Sequence, residues 1–281
     1  MQMAKVLGLM TAMTLMMVAF GQYLGGSGGA AIAFVLAIAM NFGTYWFSDR
    51  AVLRMYQARI IAPNDAPQLY DMVDRLRQRA GLPMPTVAIA PSEQPNAFAT
   101  GRNPEHAVVC VTPALMRILD ERELEGVIAH ELAHIKHRHM LVGTIAASMA
   151  GAIGLFASIA RWGFLLGGGR DDDRGNPLVL LVMAIVAPIA AMVVQMTISR
   201  QNEFQADATG ARIAGDKRGL ASALKRIEAA ANRMPMMVNP SAAHLAIINP
   251  FSSGKPPPLS GLFRTHPPTE ERIAKLLELE L

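Results

Sequence analysis

The sequence predicts an α+β domain divided into two pieces by membrane hairpins. Three observations carry that reading. Four stretches of span length carry no charge: residues 6–24, 30–47, 141–160 and 177–199. Strand and helix patterns mix between the second and third stretches, and helical patterns resume after the fourth. Finally, 52% of residues are hydrophobic and only 17% are charged, against about 25% charged in an average globular chain.

A helix needs about 20 apolar residues to cross a bilayer. The first stretch also has the form of a signal peptide, with Lys5 as its basic end. A second apolar stretch follows at once, which favours a hairpin. Tyr45 and Trp46 close the second stretch, where interfacial aromatics belong. The turn at 25–29 is uncharged. Arg50, Arg54, Arg59, Arg75, Arg77 and Arg79 follow the first hairpin; Arg200, Arg212, Lys217, Arg218, Lys225 and Arg226 follow the second. The positive-inside rule places both regions and the N-terminus in the cytoplasm. The 161–176 loop mixes Arg161, Arg170 and Arg174 with Asp171, Asp172 and Asp173. After Gly167–Gly169, the three aspartates read as a solvated loop rather than a metal site. The expected organisation is a membrane hairpin (1–48), a cytoplasmic piece (49–140), a second hairpin (141–199) and a second cytoplasmic piece (200–281).

The formal charge of +4 suits anionic headgroups. No basic stripe interleaved with aromatics is present, so a nucleic-acid partner is not expected. Cys110 is the single cysteine, so no internal disulfide forms.

In the first cytoplasmic piece, Leu69, Met72, Val73, Leu76 and Ala80 recur at helical spacing, and Gly81 and Pro83 end that helix. Residues 86–90 and 106–111 read as strands. Asp120 with Glu123 starts a helix as a capping box; it contains residues 121–139 and has no glycine or proline before Gly143 to stop it running into the third span. In the second piece, 200–214 and 220–232 read as helices. Residues 234–268, with Pro256–Pro258, read as a mobile loop. Thr269 then caps a last helix with Ile273, Leu276 and Leu277 on one face.

The chemistry concentrates in His130-Glu131-Leu132-Ala133-His134. Residues i and i+4 of a helix share a face, so both imidazoles reach one zinc ion, while Glu131 flanks the ion and is placed to take a proton from the attacking water. A catalytic zinc needs a third protein ligand and an open position. His137 and His139 do not supply it from an unbroken helix, since His130 and His137 stand roughly 10 Å apart along the axis. They read as helix-end cations near the headgroups. Glu203 and Asp207, again at i and i+4, lie just past the second hairpin. One carboxylate would bind zinc and the other would hold a ligand histidine's free ring N–H. His244 and His266 are rival ligands.

With these residues in view, the chain resembles the HtpX family of bacterial membrane peptidases, relatives of the prenyl-protein CaaX proteases and of a mitochondrial quality-control protease. The resemblance runs along the whole length. It implies a zincin-like fold and one Zn2+ per chain, held by His130, His134 and Glu203. Glu131 becomes the catalytic base, and Asp207 is left to support a ligand. Asn96, Ala97 and Phe98 look like the edge strand that binds a substrate's backbone. In Thr265-His266-Pro267-Pro268-Thr269-Glu270-Glu271-Arg272, His266 and Arg272 match the pair that steadies the oxyanion in relatives. The implied function is an endopeptidase of the bacterial cytoplasmic membrane, multi-pass and facing the cytoplasm. It would cleave membrane or misfolded proteins in quality control and stress response, with the lipid bilayer and protein or peptide substrates as partners. A processing protease with defined substrates is the second enzyme reading, though CaaX relatives enclose a chamber with more spans. A scaffold with structural zinc would be closed by four ligands, often including cysteine, and Cys110 stands in a predicted strand away from the motif.

The topology makes a labelling prediction. Single cysteines at Ser27 and Asp172 should react with an impermeant thiol reagent in intact cells, and one at Ser260 should not; labelling at 260 would overturn the orientation.

Overall fold

The computed structural model describes residues 2–143, 200–233 and 267–281, and elements are numbered in order among these. Helix α1, Gln2–Met55, is two helices joined across a kink, with non-helical backbone at Gly25 and Gly26. Gly26 has φ 58°, a left-handed conformation that glycine adopts without a Cβ penalty. The two arms fold back on each other. Asn41 Nδ2 donates to Met10 O at 3.2 Å and to Thr14 Oγ1 at 2.9 Å. Gly21 and Gly29 meet so closely that a Cβ on either would strike the other's backbone. The arm Gly25–Phe47 is long and apolar enough to cross a membrane, and Met3–Ala19 is a shorter apolar helix. Leu141 and Val142 pack with Val6, Leu9 and Met13. The third and fourth predicted spans otherwise lie outside the described residues, as does the predicted loop up to residue 266.

After α1 come β1 (Arg59–Ile60), α2 (Pro67–Ala80), β2 (Thr86–Ile89), β3 (Ala97–Gly101), β4 (Ala107–Val111), α3 (Pro113–Ile118) and α4 (Glu121–Lys136). The second piece adds α5 (Arg200–Ala214), α6 (Lys217–Arg233) and α7 (Thr269–Glu278). The sheet order is β1-β2-β4-β3. β2 and β4 are parallel, while β1 and β3 run antiparallel to their neighbours. β4 is an unbroken apolar run, as expected for a strand covered on both faces. Val87, Ala97, Ala99, Val109 and Val111 enter the main core with the helices. Alternate residues Ala88, Phe98, Val108 and Cys110 pack instead on Val52 and Leu53 at the end of α1, where the Tyr56 and Phe98 rings meet at a tilt with centroids 4.6 Å apart.

The Asp120–Glu123 capping box forms in both directions, and Gly81 ends α2 in the left-handed conformation. Two local expectations change. Thr269 is the first residue of α7 and does not cap it by hydrogen bonding; Pro268 holds the cap position. Helix α4 stops at Lys136 rather than continuing into the third stretch, because Arg138 turns the chain with φ 56°. A non-glycine residue there carries a steric cost, which the tertiary contacts of the adjacent histidines offset.

α4 is the centre of the fold. It packs on α5, α6, α2 and β3, so residues far apart in sequence converge on its motif turn. The α4–α5 contact is close because Gly210 faces the His130 backbone. A Cβ at 210 would lie 2.8 Å from His130 Cα. Gly210→Ala should therefore lower the unfolding midpoint in detergent, with a cost of about 1–3 kcal/mol for overpacking; an unchanged midpoint would mean that the helices separate freely.

Candidate metal centre

His130 and His134 project from one face of α4, with their Nε2 atoms 3.1 Å apart. Glu203 on α5 completes the group. Its Oε1 is 3.4 Å from His134 Nε2, and its Oε2 is 3.8 Å from His130 Nε2. All three ligand atoms lie within 4.8 Å of one another. Two imidazole nitrogens and a carboxylate oxygen make a donor set that fits a divalent transition ion. Glu203 was reachable from sequence only through its position after the hairpin; here the α4–α5 packing brings it to the histidines.

Asp207, one turn further along α5, stands behind His130. Its Oδ1 is 2.9 Å from His130 Nδ1, off the line of the ring N–H. Arg272 of α7 grips the same carboxylate twice: Nε donates to Oδ2 at 2.8 Å and Nη2 to Oδ1 at 2.6 Å. Arg272 Nη1 also lies 3.7 Å from Glu203 Oε2. The guanidinium is 1% exposed. The contact expected of Arg272 from sequence is with an oxyanion; in the fold two of its nitrogens are engaged on Asp207 and the third faces Glu203. His266 lies outside the described residues, as does His244.

The charges in this buried cluster shape its protonation. Burial opposes ionisation of Asp207, but the charge and hydrogen bonds of Arg272, with His130, outweigh it and draw the pKa down to about 2. Burial likewise disfavours a charged His130, yet its contact with Asp207 prevails and raises the pKa. Glu131 is 5% exposed. Burial pushes its carboxyl up to about 7, against the opposing charge of His130 and a backbone hydrogen bond from Ala99. That is the range in which a carboxylate can both take and return a proton near neutrality.

Ala99 belongs to β3, so the predicted substrate strand runs beside the motif glutamate. Among the described residues, β3 ends the sheet and pairs with β4 on one side. Ala97 and Phe98 are in the strand, and both are buried. Asn96 just precedes it; its N–H donates to Thr112 Oγ1 at 2.9 Å, and its carbonyl accepts from Thr112 N at 3.0 Å. Phe98 points to the α1 side, away from the metal group.

Residues 63–280 match the sequence profile of peptidase family M48. The chain belongs to peptidase family M48. As an M48 metalloprotease, it is 56% identical to a protease HtpX homolog of Gemmatimonas aurantiaca, over 98% of both chains. It is 55% identical to one of Desulforapulum autotrophicum, over 95% of this chain and 87% of the relative, and 53% identical to one of Thermococcus kodakarensis, over 96% and 93%. The crystal structure of S. mikatae Ste24p shares the fold, with TM-score 0.52 and 18% identity over 98% of this chain. The match spans 64% of that larger chain.

One residue near the metal group escaped the sequence reading. His139 is not a headgroup-facing cation. It is 6% exposed, with its Nδ1 3.2 Å from His134 Nδ1, and burial lowers its pKa to about 4, leaving it neutral. His137 instead meets Thr209 Oγ1 at 2.9 Å. Helical spacing could not reveal this, because the turn at Arg138 takes both residues off the helix.

The depressed pKa of Asp207 sets a pH test. Its ionised form contributes stability that is fully present above the ordinary value of 3.8 and is lost as pH falls towards about 2. In metal-free protein, the stability difference between wild type and Asp207→Asn should shrink over that window. Arg272→Met leaves Asp207 without its buried partner and should cost about 3–5 kcal/mol in urea unfolding. A loss below about 1 kcal/mol would show that the pair does not support the site.

Proposed function

We propose that this M48 metalloprotease is a zinc-dependent endopeptidase of the bacterial cytoplasmic membrane, with one Zn2+ per chain and its site facing the cytoplasm. The observation that carries the reading is the convergence of His130, His134 and Glu203 within 4.8 Å, with Glu131 buried beside them. When bound, zinc acidifies water and polarises the scissile carbonyl. His130 and His134 offer neutral Nε2 atoms, and Glu203 offers one carboxylate oxygen. Asp207 keeps the His130 ring oriented. Glu131 takes the proton from the attacking water and passes it to the leaving amine. The backbone hydrogen bond from Ala99 holds Glu131 in place, and β3 beside it would receive an extended peptide along the edge opposite β4, starting near Asn96.

Arg272 is best read as a positioning residue that holds Asp207 and faces Glu203. His266, six residues earlier, keeps its proposed part in steadying the oxyanion. The four spans in two hairpins and the division at residues 48, 140 and 199 belong to the same proposal. The apolar arm Gly25–Phe47 and the basic residues flanking it support a membrane setting. Membrane or misfolded proteins, met in quality control or under stress, are the proposed substrates.

The roles separate by mutation. Glu131→Gln should retain zinc and lose at least about a hundredfold in casein hydrolysis, because the amide cannot accept the proton. Glu203→Ala should lose zinc affinity in a chelator competition. Wild-type cleavage by the first variant, or wild-type zinc affinity in the second, would refute the assignment.

A further inference from the structure

A zinc-ligating histidine binds through one ring nitrogen and carries its proton on the other, and whatever accepts that proton fixes the ring. For His130 the group beside Nδ1 is Asp207, at 2.9 Å. For His134, which faces His130 and Glu203 through Nε2, the group beside Nδ1 is His139, at 3.2 Å. His139 approaches from the far side of the ring, so it is placed as a support rather than as a further ligand.

His139 is itself held. Its side chain hydrogen-bonds Gln205 on α5. The Gln205 amide nitrogen lies 3.4 Å from His137 Nδ1, and His137 Nε2 lies 2.9 Å from Thr209 Oγ1. One assignment of protons satisfies every link. With His134 Nε2 left to the metal, His134 Nδ1–H donates to His139 Nδ1. His139 Nε2–H then donates to Gln205 Oε1, Gln205 Nε2–H to His137 Nδ1, and His137 Nε2–H to Thr209 Oγ1. Reversing the first link would put the His134 proton on Nε2, where it would block the metal. Gln205 and Thr209 are i and i+4 on α5, one row beside Glu203 and Asp207. The turn at Arg138, φ 56°, is what brings both histidines within reach.

We propose that His139 is a positioning residue for the ligand His134, locked in the required tautomer by a relay through Gln205, His137 and Thr209 that ties the end of α4 to α5. The inference rests on the zinc reading above.

Zinc affinity of the full-length chain in detergent, measured by competition with a chromophoric chelator, tests it without using activity. His139→Phe keeps an aromatic ring but removes the acceptor, and should weaken zinc binding about 10–100-fold. His139→Asn restores an acceptor oxygen near the Nδ1 position and should return affinity to within about threefold of wild type. Gln205→Ala, an exposed change that leaves the His139 ring in place, should weaken binding severalfold and covers the case in which His139→Phe does not fold. Wild-type affinity in His139→Phe, or in Gln205→Ala if the first variant is unfolded, overturns the relay. So does equal weakening by His139→Phe and His139→Asn, which would mark packing rather than proton acceptance as the cause. If Glu203→Ala loses zinc while the relay variants do not, the metal site stands and only this inference fails. If the wild-type chain takes up no zinc, both fall.

Discussion

The buried pairing of Arg272 with Asp207 is the interaction on which the site depends. It joins the last helix to α5 and fixes the carboxylate that stands behind His130. Removing two charges from water costs several kcal/mol per ion, and only close geometry with satisfied hydrogen bonds offsets it. Here Arg272 reaches Asp207 through two nitrogens and directs the third toward Glu203. One cation thus steadies two carboxylates that would otherwise repel each other and the buried Glu131.

The second constraint is the distance between α4 and α5. Each helix presents polar groups at i and i+4, and the two sets meet only when the backbones come close. Gly210 permits that approach against His130, and Gly126 does the same for α6 at Leu220. The small residues and the proposed ligands therefore form one design. The polar row of α5 divides its work: Glu203 and Asp207 address the metal group directly, while Gln205 and Thr209 engage the histidines after the helix end.

The sheet links this centre to the apolar hairpin. Its two faces follow the period of a strand, so one packs on the helical core and the other on the end of α1. Phe98 packs at a tilt on Tyr56, and Arg102, just beyond β3, lies over Trp46 at 4.7 Å from its centroid. The strand beside Glu131 is thereby fastened at two points to the segment that begins in the hairpin.

Much of this was legible in the sequence because it is local. The motif spacing put His130 and His134 together beside Glu131, since helix geometry alone places i and i+4 on one face. The Asp120 cap, the Gly81 stop, the strands around Val87 and Val109, and the glycine turn between apolar arms all follow from short-range rules of backbone and pattern. Tertiary structure decided what depends on long-range contact. It brought α5 against α4, turned Arg272 inward to Asp207, and broke α4 at Arg138, where no glycine or proline announces a stop. His139 shows the difference most plainly. By periodicity it belongs to a helix end facing headgroups, yet it lies buried against His134, because packing with α5 repays a left-handed residue that local preference disfavours.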